Sequence, residues 1–252
     1  MKKRKLLVAA CCEKGYVKEK NQDKILIKIG EDNSGDLGFF LVADGIGGLK
    51  KGELASQIAV DFFKEWWDKH LIQLLKVYSS DVVGEELLRM FNIVNNYIIS
   101  YSQKNNIRMG TTLTTLFLYK DDFLITHIGD SRVYLLNNGK LHKMTKDHTL
   151  LHNNTLRELN INEGKINQRR NVLTQCIGVY RNIEPYQKKC KLTSSGMLLV
   201  CSDGLYKMLS EKEIEYIFSK NIDDIEIIMS KLKAEVLLKG AKDNLSAIII
   251  SF

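Results

Sequence analysis

Four aspartates stand where strand-like runs end or begin, the places from which a carboxylate reaches a site. Phe39-Phe-Leu-Val-Ala runs into Asp44-Gly45, Phe123-Leu-Ile-Thr-His-Ile into Gly129-Asp130, and Met197-Leu-Leu-Val-Cys-Ser into Asp203-Gly204. Asp243-Asn244 instead precedes the last apolar run, Leu245–Phe252. An acid after an ascending strand and an acid before a descending antiparallel one share a sheet edge, so the four can converge. Converged carboxylates repel and partly protonate unless a cation neutralises them. Carboxylate, carbonyl and water ligands suit magnesium or manganese. A glycine beside the acid lets the backbone approach and offers its carbonyl. Each Asp-Gly pair alone also reads as a plain turn; the set favours a metal site. No Cys or His stands at zinc-like spacing.

Strands must carry these acids. Runs rich in β-branched and aromatic residues predict strands over Leu6–Cys12, Ile25–Ile29, Phe39–Ala43, Thr112–Tyr119, Phe123–Ile128, Arg132–Leu136, Met197–Ser202 and Leu245–Phe252. Lys120-Asp121-Asp122 and Asn137-Asn138-Gly139 read as hairpin turns, so the three strands from Thr112 to Leu136 are expected in one antiparallel sheet. Between the early strands and that meander lie two amphipathic helices. Leu54, Ile58, Phe62 and Trp66, flanked by Ala55, Ala59, Phe63 and Trp67, form one wide stripe; Leu87, Phe91, Val94, Ile98 and Tyr101 form another. The tryptophans read as core rather than as a ligand box. A third helix is expected near Asp223–Leu238, with Ile225, Ile228, Met229 and Leu232 on one face. Runs of strands with helices between them point to an α+β fold.

Composition narrows the rest. At 252 residues, with one Pro and no low-complexity linker, a single domain is the economical reading. The balance of 37 Lys+Arg against 30 Asp+Glu, a net +7, favours acidic partners. The basic residues are scattered apart from Lys2–Lys5, however, and no nucleic-acid-binding motif accompanies them, so a solvated basic surface and no nucleic-acid partner are expected. No apolar run approaches the roughly 18 residues that span a bilayer, so no membrane insertion is expected. The start, Met1-Lys-Lys-Arg-Lys before Leu6-Leu-Val-Ala-Ala-Cys-Cys, imitates a secretion signal, but a first strand explains the same residues, and Glu13 and Lys14 follow at once. Cysteines 11, 12, 176, 190 and 201, an odd count without ligand spacing, read as reduced core thiols of a cytoplasmic protein.

The four acids sit inside longer stretches. These are Gly15-Tyr-Val-Lys-Glu-Lys-Asn-Gln-Asp23, Val42-Ala-Asp-Gly-Ile-Gly-Gly48 with Gly52-Glu-Leu-Ala-Ser56, and Met109-Gly-Thr-Thr112. His127-Ile-Gly-Asp-Ser-Arg-Val-Tyr134, Leu141-His-Lys-Met-Thr-Lys-Asp-His148, Asn171-Val-Leu-Thr174, Cys201-Ser-Asp-Gly-Leu205 and Lys242-Asp-Asn-Leu-Ser246 continue the series. In this order and spacing, from about Leu6 to the C-terminus, the chain resembles the PPM family of metal-dependent serine/threonine protein phosphatases, the protein phosphatase 2C-like enzymes of bacterial type. The resemblance implies a four-layer αββα sandwich of two antiparallel sheets flanked by helices. It implies one phosphatase domain over 1–252 with a flap at about 146–170. Two or three Mn2+ or Mg2+ ions would be held by Asp44, bridging, by the Gly45 carbonyl, and by Asp203 and Asp243, with Asp130 on a weaker third ion. Asp23 would orient the attacking water and Lys18 would contact the substrate phosphate. The implied reaction is hydrolysis of phosphoserine and phosphothreonine monoesters on proteins by direct attack of a metal-bridging hydroxide, with no protein nucleophile. The implied partners are phosphorylated proteins, substrates of a serine/threonine kinase.

Three positions depart from the family pattern. Gln22 stands where several relatives carry Glu, so one negative charge is missing. Lys18 replaces a phosphate-binding Arg, keeping the charge but losing the bidentate fork. Ile46 replaces the His of animal members, leaving a metal-bound water to protonate the leaving group. Other readings share the acids: a phosphatase dedicated to one regulator, such as a phosphorylated anti-sigma-factor partner, a noncatalytic phosphoprotein-binding module, and a two-metal nuclease. Together Asp44, Asp203 and Asp243 count against the binding module, and the missing nucleic-acid surface counts against the nuclease.

Overall fold

Strand β3 (Gly35–Asp44) is apolar at nearly every position because both of its faces are covered. Phe39, Leu41 and Ala43 join one apolar layer and Phe40 and Val42 another, as the two-residue period of a strand requires. The computed structural model describes residues 5–46, 49, 51–150, 172–192, 195–220 and 224–252.

Two five-stranded antiparallel sheets stand back to back. One runs in the order β1 (Leu7–Glu13), β10 (Leu245–Ser251), β9 (Met197–Cys201), β6 (Arg132–Asn137), β7 (Lys140–Lys143). The other runs β2 (Asp23–Asp32), β3, β4 (Leu113–Tyr119), β5 (Asp122–Ile128), β8 (Tyr186–Lys191). Between the sheets, Phe40, Val42, Leu116 and Ile125 meet Leu198, Val200, Ile248 and Ile250. Helices α1 (Gly52–Lys69), α2 (Leu71–Lys76) and α3 (Ser80–Lys104) cover the outer face of the second sheet. The first sheet is covered by α4 (Asp203–Tyr206), α5 (Glu211–Lys220) and α6 (Ile225–Leu238). The result is the four-layer αββα sandwich.

Within α1 the buried row is Ala55, Ala59, Phe63 and Trp66, while Leu54, Ile58, Phe62 and Trp67 flank it half-buried. Phe63 and Trp66 pack on Phe39 at ring-centroid distances of 5.4 and 5.3 Å, and each such buried aromatic contributes about 1.5–3 kcal/mol. Ser79 caps α3 by accepting from the Val82 amide at 3.1 Å, and Asp224 caps α6 by accepting from the amides of Glu226 and Ile227. The expected third helix is thus α6, while Asp223 lies outside the described residues.

The expected three-strand meander is corrected. β4 and β5 pair, but β6 crosses to the other sheet and pairs with β7 and β9. Gly129, at φ +112°, makes the break, and a Cβ there would lie 2.6 Å from the Thr112 side chain. The Asn138-Gly139 hairpin between β6 and β7 has both residues at positive φ, 51° and 73°, as expected for a two-residue turn. All five cysteines are free thiols; Cys176 and Cys201 are buried, whereas Cys11, Cys12 and Cys190 are only half-buried. The expected flap at about 146–170 lies, from residue 151 onward, outside the described residues. Among the described residues no helix is long and apolar enough to cross a membrane.

Registers bring the acids to one end. Asp23 at the start of β2 is paired with Asp44 at the end of β3. Cys201, which closes β9, stands opposite Ala247 of β10 and Arg132 of β6. Asp203, Asp243 and Asp130 therefore leave their strands at neighbouring points of the other sheet.

Candidate metal centre and catalytic cleft

Asp44, Gly45, Asp130, Asp203 and Asp243 line one cleft of about 370 Å³, together with Lys18, Gln22, Ile46 and Lys207. The far wall is Leu173, Cys176, Val179 and Tyr180. All the expected site residues except Asp23 thus face a common space. Asp23, only 1% exposed, stands next to it behind Asp44.

Backbone hydrogen bonds hold Asp44 still. Its amide donates to Thr112 Oγ1 at 3.0 Å, and its carbonyl accepts from the Thr112 amide at 2.8 Å and from Thr111 Oγ1 at 2.9 Å. Gly45 packs so closely on the first turn of α1 that a Cβ would lie 2.5 Å from the Gly52 carbonyl oxygen. The Gly45 amide donates to the Gln22 carbonyl at 3.1 Å, which also accepts from Ser56 Oγ at 2.6 Å. The Gln22 side chain donates to Glu53 at 3.4 Å, and Glu53 also pairs with Lys20 at 3.3 Å. Asn244 fixes the loop that carries Lys18. Its side chain donates to the Lys14 and Lys20 carbonyls at 2.8 and 3.0 Å and accepts from the Gln22 amide at 2.9 Å.

The carboxylates feel one another. Burial, followed by the charges of Asp23, Asp203, Asp130 and Asp243, raises the Asp44 carboxyl well above its ordinary range. Burial, despite a hydrogen bond from Ser202 Oγ at 2.8 Å, pushes Asp23 up to about 6. Burial and Asp203 do the same to Asp130, also to about 6. Two ammonium groups answer these charges. Lys18 Nζ lies 2.8 Å from Asp243 Oδ1, and Lys207 Nζ is ion-paired with Asp203 and 4.0 Å from Asp130 Oδ2. Asp243, Asp203 and Asp130 are turned onto these lysines, and among the described residues no three His, Cys, Asp or Glu side chains are closed around a common point.

The donor set nevertheless fits divalent cations. Among the described residues five carboxyl groups share two ammonium groups, an excess of three acids. Among the described residues, buried Asp23 Oδ1 has no hydrogen-bond partner. Oxygen donors in excess of local positive charge are what a hard divalent ion requires.

Several residues of the site have roles that the sequence did not assign. Ser202 bridges Asp23 and the Ser246 amide, at 2.8 and 3.0 Å. Asn95 of α3, fully buried, accepts from the Gly178 amide at 2.7 Å and donates to the Tyr180 carbonyl at 2.9 Å, anchoring the far wall. Tyr206 donates to Asp130 Oδ2 at 3.2 Å. Lys207 follows Asp203 by four residues, one helical turn, the only hint available beforehand.

Back-to-back antiparallel sheets between helices, with acids gathered at one end, match the αββα class of phosphatases. The sequence profile of the protein phosphatase 2C family matches residues 15–246, and the chain belongs to that family of metal-dependent protein phosphatases. It is 31% identical over 251 residues to the serine/threonine phosphatase stp of Listeria monocytogenes serotype 4b, covering 94% of this chain and 92% of the relative. Its fold superposes on serine/threonine phosphatase Stp1 from Staphylococcus aureus with a TM-score of 0.85 at 24% identity, covering 99% and 96% of the two chains. The catalytic domain of serine threonine protein phosphatase PstP, solved in complex with two manganese ions, superposes with a TM-score of 0.77 at 25% identity over 98% and 97%.

Proposed function

We propose that this chain removes phosphate from phosphoserine and phosphothreonine on proteins, the substrates of a serine/threonine kinase, as a single cytoplasmic catalytic domain. The observation that carries this reading is the gathering of buried Asp44 with Asp130, Asp203 and Asp243 in one cleft of a protein phosphatase 2C family member, where burial and these charges raise the Asp44 carboxyl. Two or three Mn2+ or Mg2+ ions would be held by Asp44, the Gly45 carbonyl, Asp203, Asp243 and, for the weakest, Asp130. When bound, they supply a nucleophilic oxygen near neutral pH and stabilise charge developing on the phosphoryl group.

The protein's own groups do the rest. Lys18, with 38% of its side chain exposed, can turn from Asp243 to a phosphoryl oxygen as a flexible point charge. Asp23, with one oxygen unpartnered and its carboxyl raised to about 6, can orient the attacking water and hold a proton near neutral pH. Ile46 lines the cleft where an acid would otherwise stand, so the side chain there protonates nothing. Val179 and Tyr180, 40% and 39% exposed on the far wall, offer an apolar surface to the residues flanking a phosphorylated side chain.

The test compares kcat/KM on matched phosphoserine, phosphothreonine and phosphotyrosine peptides with manganese and with a chelator. We expect the first two to be preferred and turnover to vanish with the chelator. A preference for phosphotyrosine, or for a nucleotide assayed alongside, refutes the substrate assignment. Turnover that survives the chelator refutes the metal dependence of the site.

A further inference from the structure

The cleft carries positive charge on both flanks, but the two lysines are built in differently. Lys18 reaches Asp243 from a loop. Lys207 is on the turn that ends α4, where its amide donates to the Asp203 carbonyl at 3.0 Å, which sets its side chain beside the Asp203 carboxylate one turn earlier. Its ammonium pairs with Asp203 Oδ2 and stands 4.0 Å from Asp130 Oδ2. Asp130 is held in place for this contact. Tyr206 donates to the same Oδ2 at 3.2 Å, and the Arg132 guanidinium lies 3.6 Å over the Tyr206 ring. Arg132 is in turn fixed by Asp147, with contacts of 3.2 and 2.7 Å. The i+4 pair with Asp203 and an Asp130 held by a second donor place the Lys207 ammonium, 37% of whose side chain is exposed, on this flank.

We propose that Lys207 is a positioning residue that serves as the resident cation between Asp130 and Asp203, so that an ion at the Asp130 flank binds only by displacing it. This rests on the reading of the cleft as a metal centre. Removing the ammonium takes from Asp130 and Asp203 the cation they share among the described residues, and the repulsion left between them is what a divalent ion relieves. Lys207 therefore weakens the outermost ion while steadying the metal-free protein.

Metal-stripped wild type, Lys207→Met and Lys207→Arg are titrated with Mn2+ by calorimetry, and the same samples are melted with and without Mn2+. The expected result for Lys207→Met is an added ion, or a weakest ion bound at least about tenfold tighter, since an ion-pair competitor has been deleted. Its metal-free form melts lower and gains more from Mn2+ than wild type, while Lys207→Arg keeps the charge and behaves as wild type. Lys207→Gln repeats the measurement should the methionine variant fail to fold. Identical stoichiometry and affinity in all the proteins overturn the role of Lys207 alone. Absence of Mn2+ binding in every one, wild type included, removes the metal centre and this inference with it.

Discussion

Replacing Arg132 with methionine tests whether the platform under Asp130 is held by one buried ion pair. Arg132 Nε and Nη2 grip Asp147 at 3.2 and 2.7 Å, and Nη1 donates to Tyr134 Oη at 2.8 Å. Asp147 is 4% exposed, and against the upward push of burial the guanidinium holds its carboxyl below the usual range. Methionine leaves that carboxylate buried with, among the described residues, only Lys143, at 3.3 Å and 27% exposed, to answer it. Breaking a buried pair costs about 3–5 kcal/mol, and Lys143 sets the expectation at about 3. In a chain of this size that lowers Tm by about 6–12 °C. The Arg132→Met, Asp147→Leu double variant should recover most of the loss, because an apolar replacement of both partners removes the uncompensated charge. Asp147 has a folded pKa below its unfolded one, so its stabilisation is present above about pH 4 and disappears as pH falls through the lower folded value. The pH 7 loss in the single variant should therefore shrink in acid. Urea and thermal melts at pH 7 and in acid measure all three quantities. A loss under about 1 kcal/mol, or a double variant no better than the single one, refutes the account.

Further expectations follow from the same contacts. Asp44→Asn should abolish turnover yet raise the Tm of the metal-free protein, since it removes a carboxylate that four others repel; a metal-free variant that melts several degrees lower contradicts this. Lys18→Ala should raise KM while Lys18→Arg preserves or lowers it through the bidentate fork, and equal KM values across the three proteins place Lys18 outside substrate contact. Gly45→Ala forces a Cβ to 2.5 Å from the Gly52 carbonyl and should cost about 1–3 kcal/mol by overpacking, with turnover falling as α1 is pushed off the acid; an unchanged denaturation midpoint speaks against it. Burial, with His148 beside it, lowers His127 to about 3, so wild type should lose about 1.4 kcal/mol per pH unit below 6.5 from this group. His127→Gln should flatten that slope, and an equal acid slope in both proteins rules the contribution out.

Much of the fold was legible because both faces of the central strands are covered. Continuous apolar runs such as Phe39–Ala43 and Met197–Cys201 announce themselves without alternation. β8 escaped notice for the opposite reason. As an edge strand pairing only with β5, it reads Tyr-Gln-Lys-Lys-Cys-Lys, polar enough to pass for a loop. Helix α5 was missed because its buried set is small, Ile214, Ile217 and Phe218 among seven charged or hydroxyl residues. The crossing of β6 into the other sheet was hidden in Gly129: short connections suggest a meander, and a positive-φ glycine packed on Thr112 is invisible until Thr112 is placed.

The acids were legible because each sits near a strand end, although they come from both sheets, Asp44 from one and Asp203 and Asp243 from the other, and meet only because the sheets stack. What holds them was not, because it depends on pairs remote in sequence. Ser202 meets Asp23 across 179 positions, Asn244 meets Gln22 across 222, and Thr112 meets Asp44 across 68. A motif reports which residue types recur together, whereas an aspartate's charge state depends on what the fold packs around it. Asp44 and Asp147 show the difference. Both are aspartates that burial pushes upward, yet Asp44, facing four other carboxylates as well, is raised well above its ordinary range, while Asp147, clasped by one guanidinium, is lowered. An acid left with surplus negative neighbours is prepared for an added cation, and an acid that already owns its counter-ion serves to support. Lys207 lies between the two cases. It gives Asp203 a partner without meeting the demand of Asp44, so the strongest call for a cation falls at the centre of the cleft and the weakest at Asp130.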